Sequence, residues 1–567
     1  MGLVYKQLVK QIARSKIFVA LLLLLTMLTS LSFFFAIFSI DGNLAMLNAL
    51  PGLTENQQLY KNALNANTTL AYNFFASLTG LTAFVFVMFF YRFYRSNKSQ
   101  IGCIKSLGFQ DNALCTCFIV FVAVLSMIGA ILGLIGGYFL SDVLINANTR
   151  TYLVTGLVKG AGLPSLIVGL IVSTVIFCIT AFLCYYFVRG KEPGVLLAGN
   201  SNHAHFSIAL QAANKISGMI PIKDKFPLRI ALRKPLAVLL IIVAVMSFNV
   251  CMMIGRSLNI SSQTVFESQT TGHHYEYDTR YSEYQIKPAP ENVIPYLDAT
   301  AKLTVGSYDI EQTMIGLYHL NEVYELQTSQ GNILSVPETG TVYINLGLHE
   351  IYGVNIGDTL IAEIAGVEQS FVVAEIAANA KSAGMYINAN EMSETLGIPP
   401  GACNGVLSME QLNDGVAVTK AQRIDDLHRN AVSNNISAII NQATGGIVGA
   451  ILIFLALYVN FQDNTRDMLI LHMMGYQIKN IRKLLIDIYR PIVWTAFLLT
   501  IVPGILLASS IQKSLSISTN DYMPFGTNVF VILTIFVLLT IICWLVQSMF
   551  EFGIRHIIAK EEISDWT

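Results

Sequence analysis

Few residues in this sequence have the types and spacing that chemistry requires. His273 and His274 stand close to Glu276 and Asp278, donor types that bind divalent metals, yet no helical spacing fixes them as a ligand set. Gly190-Lys191 is the nearest approach to a phosphate-binding loop. Glu192 and Pro193 follow it, and no GxxxxGK[ST] run, whose backbone N–H groups would cradle a phosphate, occurs in the sequence. The eight cysteines form no CxxC pair. Seven (Cys103, Cys115, Cys117, Cys178, Cys184, Cys251 and Cys543) fall in or beside apolar runs and read as small buried hydrophobes. Cys403 alone lies in a long polar region and is expected to be reachable by thiol reagents. No Ser–His–Asp or Cys–His constellation can be assembled. The reading is of a non-enzymatic chain with no catalytic, metal-ligating or cofactor-binding residues of its own.

A second set of residues is distinguished by repetition. Residues 97–110 and 464–477 align without a gap at an offset of 367, pairing Asn97 with Asn464, Gly108 with Gly475 and Gln110 with Gln477. Leu107/Met474 and Phe109/Tyr476 keep their character. Each segment has the pattern of a short helix ended by a C′ glycine with an aromatic after it. Ile101, Ile104 and Leu107 in one copy, and Met468, Leu471 and Met474 in the other, recur every three residues. Such a face either packs beneath neighbouring helices or docks another protein. Its presence in both copies favours docking.

The elements that position these turns follow from composition. The chain has 567 residues and a net charge of −1, with 54% hydrophobic and 13% charged residues. Soluble domains carry about 25% charged residues. With a mean hydropathy of +0.56, a soluble enzyme, a disordered chain and a basic nucleic-acid binder are all disfavoured. Eight uncharged apolar runs, 17–40, 71–90, 113–140, 163–188, 236–255, 444–462, 491–510 and 528–550, match the roughly 20 residues a helix needs to cross a bilayer. With the N-terminus inside, 23 of the 35 Lys and Arg fall in inner segments, which places both termini in the cytoplasm. The spans hold no Asp, Glu, Lys or Arg, which argues against an ion-coupled carrier. Asn73 and Asn249 are expected to hydrogen-bond between helices, and Gly129, Gly133 and Gly137 to allow close helix contact.

The plan is an α-helical integral membrane protein written twice. Residues 1–16 read as an amphipathic elbow helix on the membrane surface. Residues 17–190 form a four-span half with a short outer insert at 41–70 and an inner turn at 91–112. Residues 191–235 form a cytoplasmic linker ending in a second basic elbow, and 236–256 a fifth span. Residues 257–443 form an outer α+β domain, 444–550 three further spans around the inner turn 463–490, and 551–567 an inner tail. In the outer domain, 341–344, 359–364, 368–373 and 384–387 read as strands and 346–352 and 390–396 as short helices. The outer segment from Arg256 to residue 443 holds 8 basic and 22 acidic residues, which either keep it soluble or steer cationic ligands towards it.

Arg95, Ile101, Gly102, Ile104, Lys105, Leu107 and Gly108 resemble the inner segment of the FtsX/MacB-like permease superfamily of ABC transporters, whose glutamate is Gln100 here. In the second copy Arg466, Asp467 and Gly475 are retained and His472 replaces the lysine. The glycine-rich third span, residues 191–197 and residues 228–235 are also similar to that family. Gly357-Asp358 resembles the turn of MacB-type extracytoplasmic domains. The resemblance implies a permease of the mechanotransmission type in a bacterial plasma membrane. A cytosolic ATPase homodimer, binding ATP and magnesium, would grip the two turns. The implied coupling contacts are Ile101, Ile104, Lys105, Leu107, Gly108 and Phe109, and Met468, Leu471, His472, Met474, Gly475 and Tyr476. The other implied partners are the lipid bilayer and, outside, an accessory protein or a peptide, lipid or antibiotic ligand, with no nucleic acid. Two neighbouring readings are a BceB-like antimicrobial-peptide sensing and resistance permease and an FtsX-like regulator of a cell-wall hydrolase.

Overall fold

A computed structural model describes residues 16–189, 192, 194, 196, 235–286, 292–306, 308–381, 383–412, 415–463, 465–485, 487, 489–519 and 522–564. Nearly all of the first elbow helix and of the second elbow, and residues 191, 193, 195 and 197 of the segment 191–197, lie outside these residues. The chain divides into two compact units. One comprises Met1–Met253, Asn441–Leu507 and Val529–Thr567, the other Ile254–Ile440 and Ala508–Asn528. Among the described residues, eight helices are long and apolar enough to cross a membrane.

The first unit opens with α1 (Lys16–Asn48) and α2 (Glu55–Ser96). The insert expected at 41–70 is mostly their continuation. Nothing breaks a helix there until Pro51-Gly52, and Thr54 restarts it with a capping box closed by Gln57. The short α3 (Lys98–Ser106) leads to α4 (Asp111–Tyr152). Helix α4 lies against α1 along its glycines. A Cβ on Gly129 would stand 2.0 Å from Thr26 Oγ1, one on Gly133 2.6 Å from the Met27 carbonyl, and one on Gly137 2.7 Å from Phe34 Cβ. Only backbone fits there, as the small-residue stripe requires. Residues 153–162 are pinned to the end of α1: Gly162 N–H donates to Asp41 Oδ2 (2.7 Å) and Val158 N–H to Asn43 Oδ1 (2.8 Å). The next span joins α5 (Leu163–Leu166), a π-helical turn (Ile167–Val172) and α6 (Ser173–Arg189).

Helix α7 (Pro235–Thr270) brings Asn249 Nδ2 within 2.9 Å of Thr500 Oγ1, the expected interhelical bond. Asn73 has no such role, because its side chain is exposed on α2.

The second unit holds β1 (Tyr277–Ile286), β2 (Val293–Val305), β3 (Tyr308–Leu317), β4 (Leu326–Gln327), β5 (Ile333–Leu334), β6 (Thr341–Asn345), α8 (Leu346–Glu350), β7 (Thr359–Ile364), β8 (Val367–Ala377), β9 (Gly384–Asn388), α9 (Ala389–Leu396), β10 (Ala402–Ser408) and β11 (Val416–Thr419). Nine strands form one mixed sheet in the order β11-β1-β10-β2-β3-β9-β6-β8-β7, and β2 also pairs with β7. The expected strands and both short helices are present. The long strands β1–β3 arise where the sequence shows no clean alternation. Residues 294–297 of β2 are buried in succession, so the polar–apolar signal of a half-exposed strand is missing. Leu297, Met314, Ile344, Phe371, Met385 and Met392 lie in one apolar core, and Tyr275, Tyr296, Tyr324 and Tyr386 in a second. Cys403, expected to be reachable, is 0% exposed: it sits on β10 in a small cluster with Tyr281 and Val406.

Helix α10 (Lys420–Asp463) follows β11, then α11 (Thr465–Met473), α12 (Ile478–Leu485), α13 (Tyr489–Thr519) and α14 (Val529–Ser564). Gly445 and Gly449 bring α10 against α7, where added Cβ atoms would meet Cys251 and Phe248.

Candidate functional site

The two turns have the same local geometry. Gly108 (φ +84°) and Gly475 (φ +88°) both adopt the left-handed conformation that ends a helix, with open space where a Cβ would point. Gly108 N–H donates to the Lys105 carbonyl (3.0 Å) and Gly475 N–H to that of His472 (2.8 Å). At the second turn Tyr476 N–H also reaches the Leu471 carbonyl (3.1 Å), completing a Schellman motif.

The apolar stripe is not one uniform face. Ile101 and Met468 are each 1% exposed, whereas Leu107 is 71% and Met474 68% exposed. Ile104, Leu471, His472 and Phe109 are half-buried and Tyr476 is exposed. The cause is geometric. A three-residue step lags the helical repeat by about 60°, so the first and third residues differ by about 120° around the axis. The stripe therefore starts in the core and ends in solvent, and its exposed apolar tip consists of Leu107 in one copy and Met474 in the other. Met473, at 79% exposure, belongs to the second tip and was missed because it falls outside the three-residue period.

Charged side chains tie each turn to neighbouring helices. Lys105, expected to face a partner, turns inward instead: its Nζ lies 3.0 Å from Asp111 Oδ1, which also accepts a bond from Tyr185 Oη (2.9 Å). Beyond the second turn, Arg482 on α12 pairs with Asp487 (3.3 Å) and with Glu551 on α14. Arg490 donates to Gln547 Oε1 (2.7 Å). These partners lie up to 69 positions apart in sequence, so residue spacing gave no sign of them.

In the β-rich unit, Gly357 (φ +92°) and Asp358 form a tight turn in which Asp358 Oδ2 accepts the Asn355 N–H (2.7 Å). Asp358 is thereby committed to holding the turn. The histidine cluster is likewise committed. Buried His273 donates from Nε2 to the Asn379 carbonyl (2.7 Å), and Asp278 pairs with Lys381 (2.8 Å). Burial lowers the His273 pKa to about 3, which leaves its imidazole neutral. Burial alone would raise Asp278, but the charge and hydrogen bond of Lys381 hold it below the usual carboxylate range. Among the described residues, no group of three His, Cys, Asp or Glu is placed to hold a metal ion.

Two stretches of the chain, residues 72–193 and 444–548, match the model of the family described as FtsX-like permease C-terminal. Both stretches are similar to FtsX-like permease C-terminal domains. Each match contains one of the glycine turns with the helices that flank it. A search of curated proteins finds no match to the chain. The family is one of permeases in ABC-type systems, which work with an ATPase. With eight apolar helices, the chain is a multi-pass membrane protein.

Proposed function

We propose that this chain is the permease subunit of an ABC-type complex in a bacterial plasma membrane. The two FtsX-like domains are read as halves of a pseudo-repeat, with both termini cytoplasmic and the β-rich unit outside. A separate cytosolic ATPase dimer docks at the turns ending in Gly108 and Gly475, and its cycle of closing and opening moves the helices that lead to the β-rich unit. The work done is export or extraction of a peptide, a lipid or an antibiotic. The observation that carries this reading is the occurrence, within each family match, of a helix end that exposes an apolar tip, Leu107 or Met473-Met474, at a left-handed glycine. Exposed apolar side chains grouped beyond the ends of spans fit a protein interface better than a lipid contact. Helix continuity also supports it: α7 and α10 each run unbroken from an apolar span to the β-rich sequence.

Proline at either glycine tests the reading. Proline holds φ near −65° and cannot adopt the left-handed turn. Gly108→Pro and Gly475→Pro should leave the ATPase able to hydrolyse ATP but insensitive to the permease and its substrate. Substrate-stimulated turnover unchanged in both variants would refute the assignment.

A further inference from the structure

The β-rich unit contains the ends of two long helices, α7 before the sheet and α10 after it; α7 bonds directly to the short loop at residues 378–381, and α10 meets that loop through Tyr275. On the α7 side, Gln269 Nε2 donates to the Ala380 carbonyl (2.6 Å) and Asn379 Nδ2 to the Thr271 carbonyl (2.9 Å). Asn379 also holds the sheet: its Nδ2 reaches the Glu325 carbonyl (2.6 Å) and its Oδ1 accepts the Gln327 N–H (2.7 Å). His273, three residues beyond the end of α7, donates to the Asn379 carbonyl. On the α10 side, Lys381 Nζ pairs with Asp278 on β1 (2.8 Å) and stands 4.6 Å from the Tyr296 ring centre and 5.5 Å from that of Tyr275. The guanidinium of Arg423 on α10 lies 3.8 Å from the Tyr275 ring centre, and its Nη2 donates to the Tyr275 carbonyl (3.3 Å). Lys420, the first residue of α10, donates its N–H to the Glu276 carbonyl (2.8 Å).

We infer that the 378–381 loop, together with Tyr275, is the junction that holds the ends of α7 and α10 in one fixed relation to the sheet, with Asn379 and Lys381 as its positioning residues. The inference refines the mechanical reading proposed above by naming where helix motion enters the β-rich unit. The chemistry of the loop supports it. Burying an ion pair contributes little net stability compared with an apolar core of the same size, so a buried pair adds mainly geometry. The faces of the sheet pack through apolar cores, whereas the end of α7 is held by directional bonds through Asn379 and Ala380 and the start of α10 by bonds to Tyr275 and Glu276. A set of directional bonds defines one arrangement and is lost as a set.

The test uses the full chain in lipid nanodiscs, without any ATPase. Spin labels at Ile361 and Val432, both exposed, report the relation of sheet to exit helix. Hydrogen exchange reports the junction itself. Gln269→Ala removes the bond to the Ala380 carbonyl and is expected to leave the fold intact; Asn379→Ala and Lys381→Met remove the contacts of the loop itself. We expect exchange in 264–272, 377–384 and 420–426 to rise together by on the order of tenfold, with a broadened label distance distribution, while 359–373 of the same sheet stays protected. A rise confined to the loop with an unchanged distance distribution would reduce these contacts to a local staple and overturn the inference. Exchange rising throughout the sheet in Lys381→Met is ordinary unfolding, and Gln269→Ala then decides between the two outcomes. Failure of every ATPase to bind the wild-type chain would count against the proposed function and leave this result standing.

Discussion

Leu107 and Met474 give the sharpest perturbation of the proposed docking surface. Both side chains are largely in solvent, so Leu107→Ala and Met474→Ala remove almost no contact within the chain, and each variant should melt within the error of the wild type. Against a bound ATPase the same side chains would be enclosed. Fully burying a leucine or methionine side chain contributes about 1.5–3 kcal/mol, so losing one should weaken ATPase binding roughly ten- to hundred-fold. Ile101→Ala and Met468→Ala are the counter-controls. These residues are buried within the chain, so truncation should cost about 2–5 kcal/mol of its own stability. The assay is equilibrium binding of the purified ATPase to the permease in nanodiscs, with thermal unfolding of each variant alongside. The reasoning fails if Leu107→Ala and Met474→Ala bind as tightly as the wild type. It also fails if their loss of binding tracks a loss of fold.

Three further outcomes follow from the geometry. Gly133→Val should destabilise the first unit by about 1–3 kcal/mol, because its Cβ would meet the Met27 carbonyl, whereas Gly80→Ala, with open space around it, should be tolerated; thermal melts in detergent compare the two. His273 should make the β-rich unit acid-sensitive. Its folded pKa of about 3 lies below the ordinary value of about 6.5, so the unfolded chain binds the extra proton first. The stability this confers is complete above about pH 6.5 and is lost as pH falls towards 3, a window that opens before Asp278 begins to lose its own contribution below about pH 4. Denaturant melts from pH 7 to 4 should show the decline, and His273→Gln should flatten it. Cys403 should resist a membrane-impermeant maleimide until the protein is denatured, while a cysteine replacing exposed Val416 should be labelled from outside intact cells. Labelling of that position only after lysis would reverse the proposed orientation.

The membrane helices were legible because each is a long uncharged run, a signal that needs no knowledge of the partner helix. The glycine turns were legible for a similarly local reason: a C′ glycine followed by an aromatic is a backbone requirement written in adjacent residues. What escaped was whatever depends on distant partners. Lys105 reads as a surface cation until Asp111 and Tyr185 are seen beside it. The stripe at 101, 104 and 107 reads as one face until the helical repeat turns its first residue into the core. Cys403 lies in a polar region of the sequence but on β10, a strand buried at nearly every position because both of its faces are covered. The junction around Lys381 joins residues from 269 to 423 and leaves no trace in any short window.

The central claim is that a separate ATPase grips both turns. Photo-crosslinking residues placed at 107 and 474 in living cells test it most directly. The account predicts that both positions trap the same ABC-type ATPase, and that position 101, buried in the chain, traps none. An ATPase trapped from neither tip, or trapped only from some other segment of the chain, would contradict it.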